Sequence, residues 1–341
     1  MCGICGIIHG DLSKPVDRAT LEAMTRLMAH RGPDGEGYHL DGPVGLGHRR
    51  LSIIDTEGGA QPMTNEDRTL WLVFNGEIYN FQELTEKLKA RGHSFATRCD
   101  TEVILHLYEE YGTDCLRYMR GMFSFALWDG RKRQLFCARD RLGMKPFFYG
   151  VANGDFTFAS NPAAILQYPC FDRAVDLRAL DLYLTYQYVP SPLSIFSQMK
   201  KLSPAHYLLF KDGQLSIVRY WEVNPLTTST MGYDESRERL RELLTEATRL
   251  RMISDVPLGA FLSGGIDSSV VVALMSGLSD LPVKTFSIGF EDHSYNELPY
   301  AREIARRYST DHHEFIVKPS AIDLLPKLVW HYGEPFADSS A

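Results

Sequence analysis

The sequence predicts an α/β protein of two domains, and three observations carry that expectation. At 341 residues the chain is long enough for two compact units. Beyond residue 257, apolar strand-like runs alternate with helical runs, the pattern of a parallel sheet with right-handed crossovers. Between the halves, residues 224–232 are the densest stretch of low hydrophobicity, rich in Thr and Ser, and read as a linker. Net charge is −7, which argues against a broad nucleic-acid-binding surface. No apolar run approaches the roughly 20 residues of a membrane helix. No basic region precedes the apolar stretch in residues 1–10, so they do not read as a signal peptide. Six cysteines without paired spacing fit a reducing, cytoplasmic compartment. There are no internal repeats.

The first element opens Met1-Cys2-Gly3-Ile4-Cys5-Gly6-Ile7. Removal of Met1 would leave a thiol and a free α-amino group on Cys2. An α-amine titrates near ~7.7–8.0 and a thiol near ~8.5, so one residue can hold both a nucleophile and its base. The alternative is a small buried residue at the start of a strand. Cys2-x-x-Cys5 lacks a second Cys pair or a suitably spaced His pair, and Cys5 reads as packing. Cys99, Cys115, Cys137 and Cys170 are scattered among apolar residues.

Further segments follow in order. His30-Arg31-Gly32-Pro33-Asp34 trails a short helical pattern, and residues 49–55 read as a strand. Asn75-Gly76-Glu77-Ile78-Tyr79-Asn80 follows an apolar run, where Asn-Gly is also the strongest short hairpin signal. Asp100-Thr101-Glu102 opens a helix over 103–111, with Asp100 placed as an N-cap. Residues 205–221 form a hairpin pattern about Lys211-Asp212-Gly213-Gln214. Asp234 offers an N-cap to a helix whose stripe, Leu240, Leu243, Leu244, Ala247 and Leu250, is expected to pack on the second domain. Residues 257–269 then end a strand in Ser263-Gly264-Gly265, continue through Ile266-Asp267-Ser268-Ser269, and are followed by an apolar helical run from Val270 to about Gly277. Backbone N–H groups and the helix dipole make such a turn an anion site. It lacks the Gly-Lys-Ser/Thr ending of a Walker loop. Residues 284–290 read as a second buried strand, 297–308 as a helix and 313–317 as a short strand.

The order of motifs from Cys2 to about Tyr149, which also takes in Arg139-Asp140-Arg141-Leu142-Gly143-Met144-Lys145-Pro146, resembles the class II glutamine amidotransferase domain. That resemblance implies the αββα sandwich of the N-terminal nucleophile hydrolases. It assigns Cys2 as nucleophile and the Asn75 side-chain amide with the Gly76 N–H as oxyanion hole. For a glutamine substrate, Arg50 suits the α-carboxylate. Asp100, assisted by Glu77, suits the α-ammonium.

The later loop is similar to the Ser-Gly-Gly-x-Asp-Ser pyrophosphate loop of the ATP pyrophosphatase superfamily. This implies a partial adenine-nucleotide α-hydrolase-like domain that binds ATP through Leu262, Ser263, Gly264, Gly265, Asp267, Ser268 and Ser269. Ile288 and Gly289 are then placed against adenine, and Asp267 is the Mg2+ contact. The combination resembles the glutamine-hydrolysing asparagine synthetase family. There, glutaminase-derived ammonia displaces AMP from a β-aspartyl-adenylate. The implied division is 2–222 glutaminase, 223–233 linker and 234–341 the first part of a synthetase domain. Its partners are the small molecules glutamine, aspartate and ATP, with no nucleic acid or membrane, and a homodimer is allowed.

Two departures stand out. The chain ends in Gly333-Glu334-Pro335-Phe336-Ala337-Asp338-Ser339-Ser340-Ala341, before the family's Ser-Gly-x-Gly-x-Asp-Glu motif, so a truncated synthetase domain with an uncovered sheet is expected. In Phe158-Ala159-Ser160-Asn161-Pro162 the family carries Ser-Glu, and Pro162 is expected to interrupt the helix that follows. The alternatives are an amidotransferase with another carboxylate acceptor, a free-standing glutaminase, or a non-catalytic remnant. Retention of Cys2, Arg50, Asn75, Gly76 and Asp100 speaks against the remnant, and Cys2 against a β-lactam synthetase.

Overall fold

The structure, a computed structural model, describes residues 1–226, 228–290, 296–317 and 321–337. It divides into two compact units, Met1–Val223 together with Leu324–Ala341, and Asn224–Asp323. Asp338 to Ala341, the end of the motif noted above, lie outside the described residues, as does Thr227 of the linker.

The elements of the first unit begin with β1 (Gly3–Ile8), α1 (Arg18–Arg26), β2 (Gly35–Asp41), β3 (Val44–Arg50), β4 (Met63–Thr64) and β5 (Leu70–Ile78). Then come α2 (Phe81–Lys89), α3 (Glu102–Tyr111), β6 (Gly121–Asp129), β7 (Gln134–Arg139), β8 (Phe148–Ala152) and β9 (Asp155–Ala159). The unit continues with α4 (Pro162–Ile165), α5 (Leu177–Tyr186), β10 (Lys200–Lys201), β11 (His206–Lys211) and β12 (Gln214–Arg219). They form two six-stranded sheets, ordered β10-β8-β9-β1-β3-β2 and β12-β11-β7-β6-β5-β4. Alternation along each strand sends one set of side chains between the sheets. Ile4, Ile8, Leu46, Val73, Leu135, Phe156, Phe158 and Phe210 meet there in one buried cluster. The opposite face of the first sheet, with Cys5 and Ile7, packs under Leu21 and Met24 of α1 and Ala164 and Ile165 of α4. On the outer face of the second sheet, Tyr108 of α3 stacks on Phe136 of β7 at 5.5 Å between centroids. Helix, sheet, sheet and helix make the expected αββα sandwich. The expected hairpin is present, with β11 and β12 paired from His206↔Arg219 to Lys211↔Gln214.

The second unit holds α6 (Tyr233–Arg251), β13 (Gly259–Phe261), α7 (Ile266–Leu278), β14 (Lys284–Phe290), α8 (Leu298–Arg307) and β15 (Asp311–Val317). Its three strands are parallel, in the order β13-β14-β15. One face of β14, carrying Thr285, Ser287 and Gly289, is buried. The other face stays open, with Phe261 80% exposed, Ile288 52% and Phe315 56%.

Several expectations need correction. The strand expected over 49–55 ends at Arg50, because 51–55 turn away to form a wall of the site. The β14 strand is covered on one face only. Asp234 is not the N-cap of α6; Gly232 occupies that position and Asp234 falls in the first turn. The α6 stripe is largely exposed at Leu240, Leu243 and Leu244, rather than packed. Pro162 does not interrupt a helix but starts one: it sits at the first position of α4, where its missing N–H costs nothing, and Asn161 caps it by accepting from the Ala163 N–H at 2.9 Å.

The last helix, α9 (Ala321–Tyr332), contributes its residues from Leu324 onward to the first unit. The His30 ring lies 4.4 Å from that of Trp330 and 4.6 Å from that of His331. Asn161 Nδ2 donates to the His331 carbonyl at 3.0 Å. Glu334 pairs with Lys201, and the Ala337 N–H donates to Gln187 O at 2.9 Å. Asn161, Lys201, His331 and Glu334 help to line an open pocket of about 410 Å³ that also touches Met1 and Arg31.

Candidate functional site

In the first unit a small cleft is lined by Cys2, Arg50, Leu51, Gln61, Glu77 and Asp100, together with Gly76 and the neighbouring chain. Cys2 stands just before β1, at the end of the central strand pair β1–β3. Its Sγ accepts from the Leu51 N–H at 3.4 Å, and the Arg31 guanidinium donates to its carbonyl at 3.1 Å. Burial pushes the Cys2 thiol up, an effect only partly offset by the Leu51 N–H. The thiol therefore needs a base before it can attack. Burial also lowers the pKa of the chain's terminal amine, here on Met1.

Asn75 and Gly76 lie inside β5, so the hairpin reading of Asn-Gly is overturned. Nine consecutive pairs with β6, from Leu70↔Asp129 to Ile78↔Gly121, leave no room for a turn. A Cβ on Gly76 would sit 2.2 Å from Met122 O and 2.7 Å from Phe123 Cα, so only glycine lets the strands close here. Asn75 is buried, and both atoms of its amide lack a hydrogen-bond partner. A buried, unpartnered amide is costly unless something else occupies it. Asn75 is not among the residues that line the cleft itself.

The two acids are held differently. Asp100 is not a cap, because α3 starts at Glu102 after Thr101; its Oδ2 instead accepts from the Ile78 N–H at 2.8 Å. Burial raises the pKa of Asp100. Burial raises that of Glu77 as well, and the Asp100 charge raises it further. Asp100 is buried and Glu77 half-buried beside one cleft, where a positive charge favours their ionised forms. Arg50 lines the same cleft, and its terminal nitrogens donate to the carbonyls of Ile54 at 3.2 Å, Asp55 at 2.5 Å and Thr56 at 3.0 Å. A cation, two carboxyls and a thiol thus border one narrow cleft.

Sequence reasoning missed Gln61, which accepts from Phe74 N at 2.7 Å and donates to Thr101 Oγ1 at 3.3 Å, tying β5 to the start of α3. No local pattern marks it. Asp140 belongs to the Arg139–Pro146 motif. Its carboxylate accepts N–H bonds from Phe123, Leu142, Met144 and Lys145 at 2.9–3.2 Å and so shapes the loop after β7. The signal for it was that motif.

In the second unit, Ser263, Gly264 and Gly265 follow β13 after Leu262, and Gly265 precedes α7. The Leu262 N–H donates to Phe286 O at 2.8 Å and pins the end of the strand. Gly264 has φ +83°, and a Cβ there would lie 2.5 Å from that of Tyr300. The hydroxyls of Ser263 and Ser268 meet at 3.0 Å, and Ser269 Oγ donates to Gly265 O at 2.7 Å. No side chain caps α7, so its first N–H groups stay open to a ligand. Asp267 lies exposed in the first turn. On the adjacent strand, Gly289 lies under Leu298 of α8 and Ile288 is half exposed.

Residues 1–221 match the family described as glutamine amidotransferase domain, and residues 239–341 the family described as asparagine synthase. The chain is 38% identical to asparagine synthetase (glutamine-hydrolysing) 1 of Bacillus subtilis, over all of this chain and 54% of that one. It is 39% identical to a Methanocaldococcus jannaschii protein provisionally named asparagine synthetase (glutamine-hydrolysing) 2, over all of this chain and 70% of that one. Asparagine synthetase (glutamine-hydrolysing) 3 of B. subtilis is 36% identical over 93% of this chain and 54% of its own length. The chain thus spans about half the length of two of these curated relatives. Among solved structures, one described as the allosteric regulatory enzyme of purine biosynthesis superposes with a TM-score of 0.52 at 15% identity. That match covers 93% of this chain and 81% of the other, and it shows a shared fold.

Proposed function

The chain belongs to the glutamine-hydrolysing asparagine synthetase family, and from that premise we propose that it takes ammonia from glutamine to amidate aspartate at the expense of ATP. It is then a carbon–nitrogen ligase with glutamine as amido donor. Its parts are a glutaminase domain over 2–222, a linker over 223–233 and the first part of a synthetase domain over 234–341. The observation that carries the glutaminase half is the cleft itself, where Cys2, Arg50, Glu77 and Asp100 face one space. Arg50 holds the substrate α-carboxylate, and the Asp100–Glu77 pair gains from the α-ammonium the positive partner its burial demands. Once Met1 is removed, the α-amine of Cys2 accepts the thiol proton and Sγ attacks the side-chain amide. The oxyanion then meets the Gly76 N–H and the unpartnered Asn75 amide. Ammonia leaves, and water releases glutamate.

In the second unit, the open N–H groups of α7 and the hydroxyls of Ser263, Ser268 and Ser269 hold phosphate oxygens of ATP, and Ile288 and Gly289 border the adenine. The exposed Asp267 carboxylate beside these hydroxyls is an all-oxygen set that fits Mg2+. When bound, the ion offsets phosphate charge. The test supplies the processed chain with glutamine, aspartate and Mg-ATP and follows glutamate, asparagine, AMP and pyrophosphate together. All four products support the full reading. Glutamate alone limits this chain to a glutaminase, and no glutamate refutes the site. Protein that retains Met1, checked by intact mass, should be inactive toward glutamine.

A further inference from the structure

The segment between α2 and α3 brings a second set of chemically active side chains to one point, away from the cleft. His106 and Glu109 stand one turn apart on the same side of α3, the spacing that makes neighbours on a helix surface. His93 reaches them from the preceding segment. His93 Nδ1 is 3.2 Å from His106 Nδ1, His106 Nδ1 is 2.8 Å from Glu109 Oε2, and Glu109 Oε2 is 3.3 Å from His93 Nδ1. Hydrogen bonds from the two Nδ1 atoms to Glu109 Oε2 close two edges of this triangle and leave the His93–His106 edge bare. Two ring nitrogens carry at most two protons between them, so three edges cannot each receive a hydrogen bond of its own. A single cation at the centre serves all three donors at once. Ligands of a tetrahedral zinc ion held at ~2.0–2.1 Å are about 3.3 Å apart, which is the scale of the triangle.

The surroundings match such a centre at His93, whose Nε2 lies 3.0 Å from Glu110 Oε1; His106 Nε2 faces Glu102 Oε1 at 3.7 Å without a hydrogen bond. Metal-bound histidines turn their second nitrogen toward a carboxylate, which fixes the ring and raises its basicity. Asn65 Nδ2 donates to Glu109 Oε1 at 2.8 Å and so leaves Oε2 for the triangle. His106 is only 1% exposed, whereas the His93 and Glu109 side chains are 15% and 26% exposed. The cluster is therefore anchored inside and open on one side, where a water can complete the coordination.

We propose that His93 Nδ1, His106 Nδ1 and Glu109 Oε2 bind a divalent transition ion of the zinc class. The site is independent of the magnesium expected at Asp267. The chain between its ligands carries Cys99, Asp100 and Thr101, and Glu102 accepts from the Ala96 and Thr97 N–H groups at 2.7 Å each. A bound ion thus clamps the segment that delivers Asp100 to the cleft.

The test uses the whole chain, stripped with a chelator and with its accessible thiols blocked. Zn2+ is titrated against a chromophoric chelator of known affinity. One equivalent is expected to bind, with a rise in melting temperature. His93→Ala, at a partly exposed position, should weaken binding by 100-fold or more and remove the thermal shift. Glu109→Gln, which keeps the shape and the Asn65 contact, should do the same. Glu110→Gln should weaken binding about 10-fold through the His93 ring. Co2+ in place of Zn2+ should give the visible absorption of a four-coordinate site in the wild type and not in folded His93→Ala. No saturable uptake by the wild type, or an affinity unchanged by His93→Ala, overturns the proposal and leaves the triangle a hydrogen-bonded cluster.

Discussion

The two units solve the same problem, fixing a loop of reactive groups at the end of a strand, with unequal means. In the first, two sheets face each other across a closed core and helices cover both outer faces. Its site groups are buried or half-buried, and Asn75, Gly76 and Glu77 are held by strand register. In the second, three parallel strands are covered on one face while Phe261, Ile288 and Phe315 stay open on the other. Its loop is held by hydroxyls and one glycine close approach. The difference teaches that a buried, electrostatically demanding site needs a core that cannot yield. In the second unit the Ser263–Gly265 turn is positioned instead by the Leu262–Phe286 hydrogen bond and the close approach of Gly264 to Tyr300.

The largest test separates the two chemically. Cys2→Ala should lower glutamine hydrolysis by at least ~10⁴-fold, as loss of a covalent nucleophile does, and should spare any ammonia-dependent formation of AMP. Glutamate release at the wild-type rate would remove Cys2 from the mechanism. Next in size is packing. Phe125 is fully buried and meets the Phe136 ring edge-on at 5.3 Å, so Phe125→Ala should cost about 3–5 kcal/mol in urea unfolding of the first unit. Phe315→Ala, on the open face, should change stability by less than about 0.5 kcal/mol. Equal losses would erase the contrast between the two units. Asn75→Ala should lower kcat for glutamine hydrolysis by ~10²–10³ with little change in KM, as the proposed oxyanion role requires. A change in KM alone would make it a ground-state binder.

The smallest effect is a pH dependence. His48 is wholly buried, and burial holds its pKa down at about 4 from 6.5, against the pull of the Phe74 carbonyl 3.1 Å away. Its depressed value means it contributes stability above pH 6.5 that is lost as the pH falls toward 4. The full loss is on the order of 3 kcal/mol. His48→Gln, whose amide can still donate to Phe74 O, should flatten the unfolding free energy over that window relative to wild type. Parallel pH curves for the two proteins would refute it.

Much of this was legible in the sequence, and the failures share a cause. The boundaries of β14 and α8 and the turn at Asp212-Gly213 follow from local patterns of apolar, helical and turn residues. Asn75-Gly76 was ambiguous locally, because the same dipeptide closes hairpins; only the neighbouring β6 strand, whose backbone would collide with a side chain at 76, settles it. Asp100 reads as a cap until the Ile78 N–H, 22 residues away, is brought to it. Pro162 reads as a breaker only while the position of the helix start is unknown. The exposed stripe on α6 carries the right period, but a period names a face without naming what covers it. Gln61 and the His93–His106–Glu109 triangle depend on side-chain meetings that no spacing announces.

The segment around His331 and Glu334 has a consequence for how the protein is made. It completes the first unit, yet it leaves the ribosome roughly 110 residues after Val223. At ~5–20 residues per second, the wall it forms arrives about 5–20 s after the rest of that unit has been synthesised. During that interval Lys201, Asn161 and the His30 ring wait without their final neighbours. The nascent first unit is therefore a distinct species, recognisable in ribosome-stalled chains by an Asn161 face that a protease or a labelling reagent can still reach.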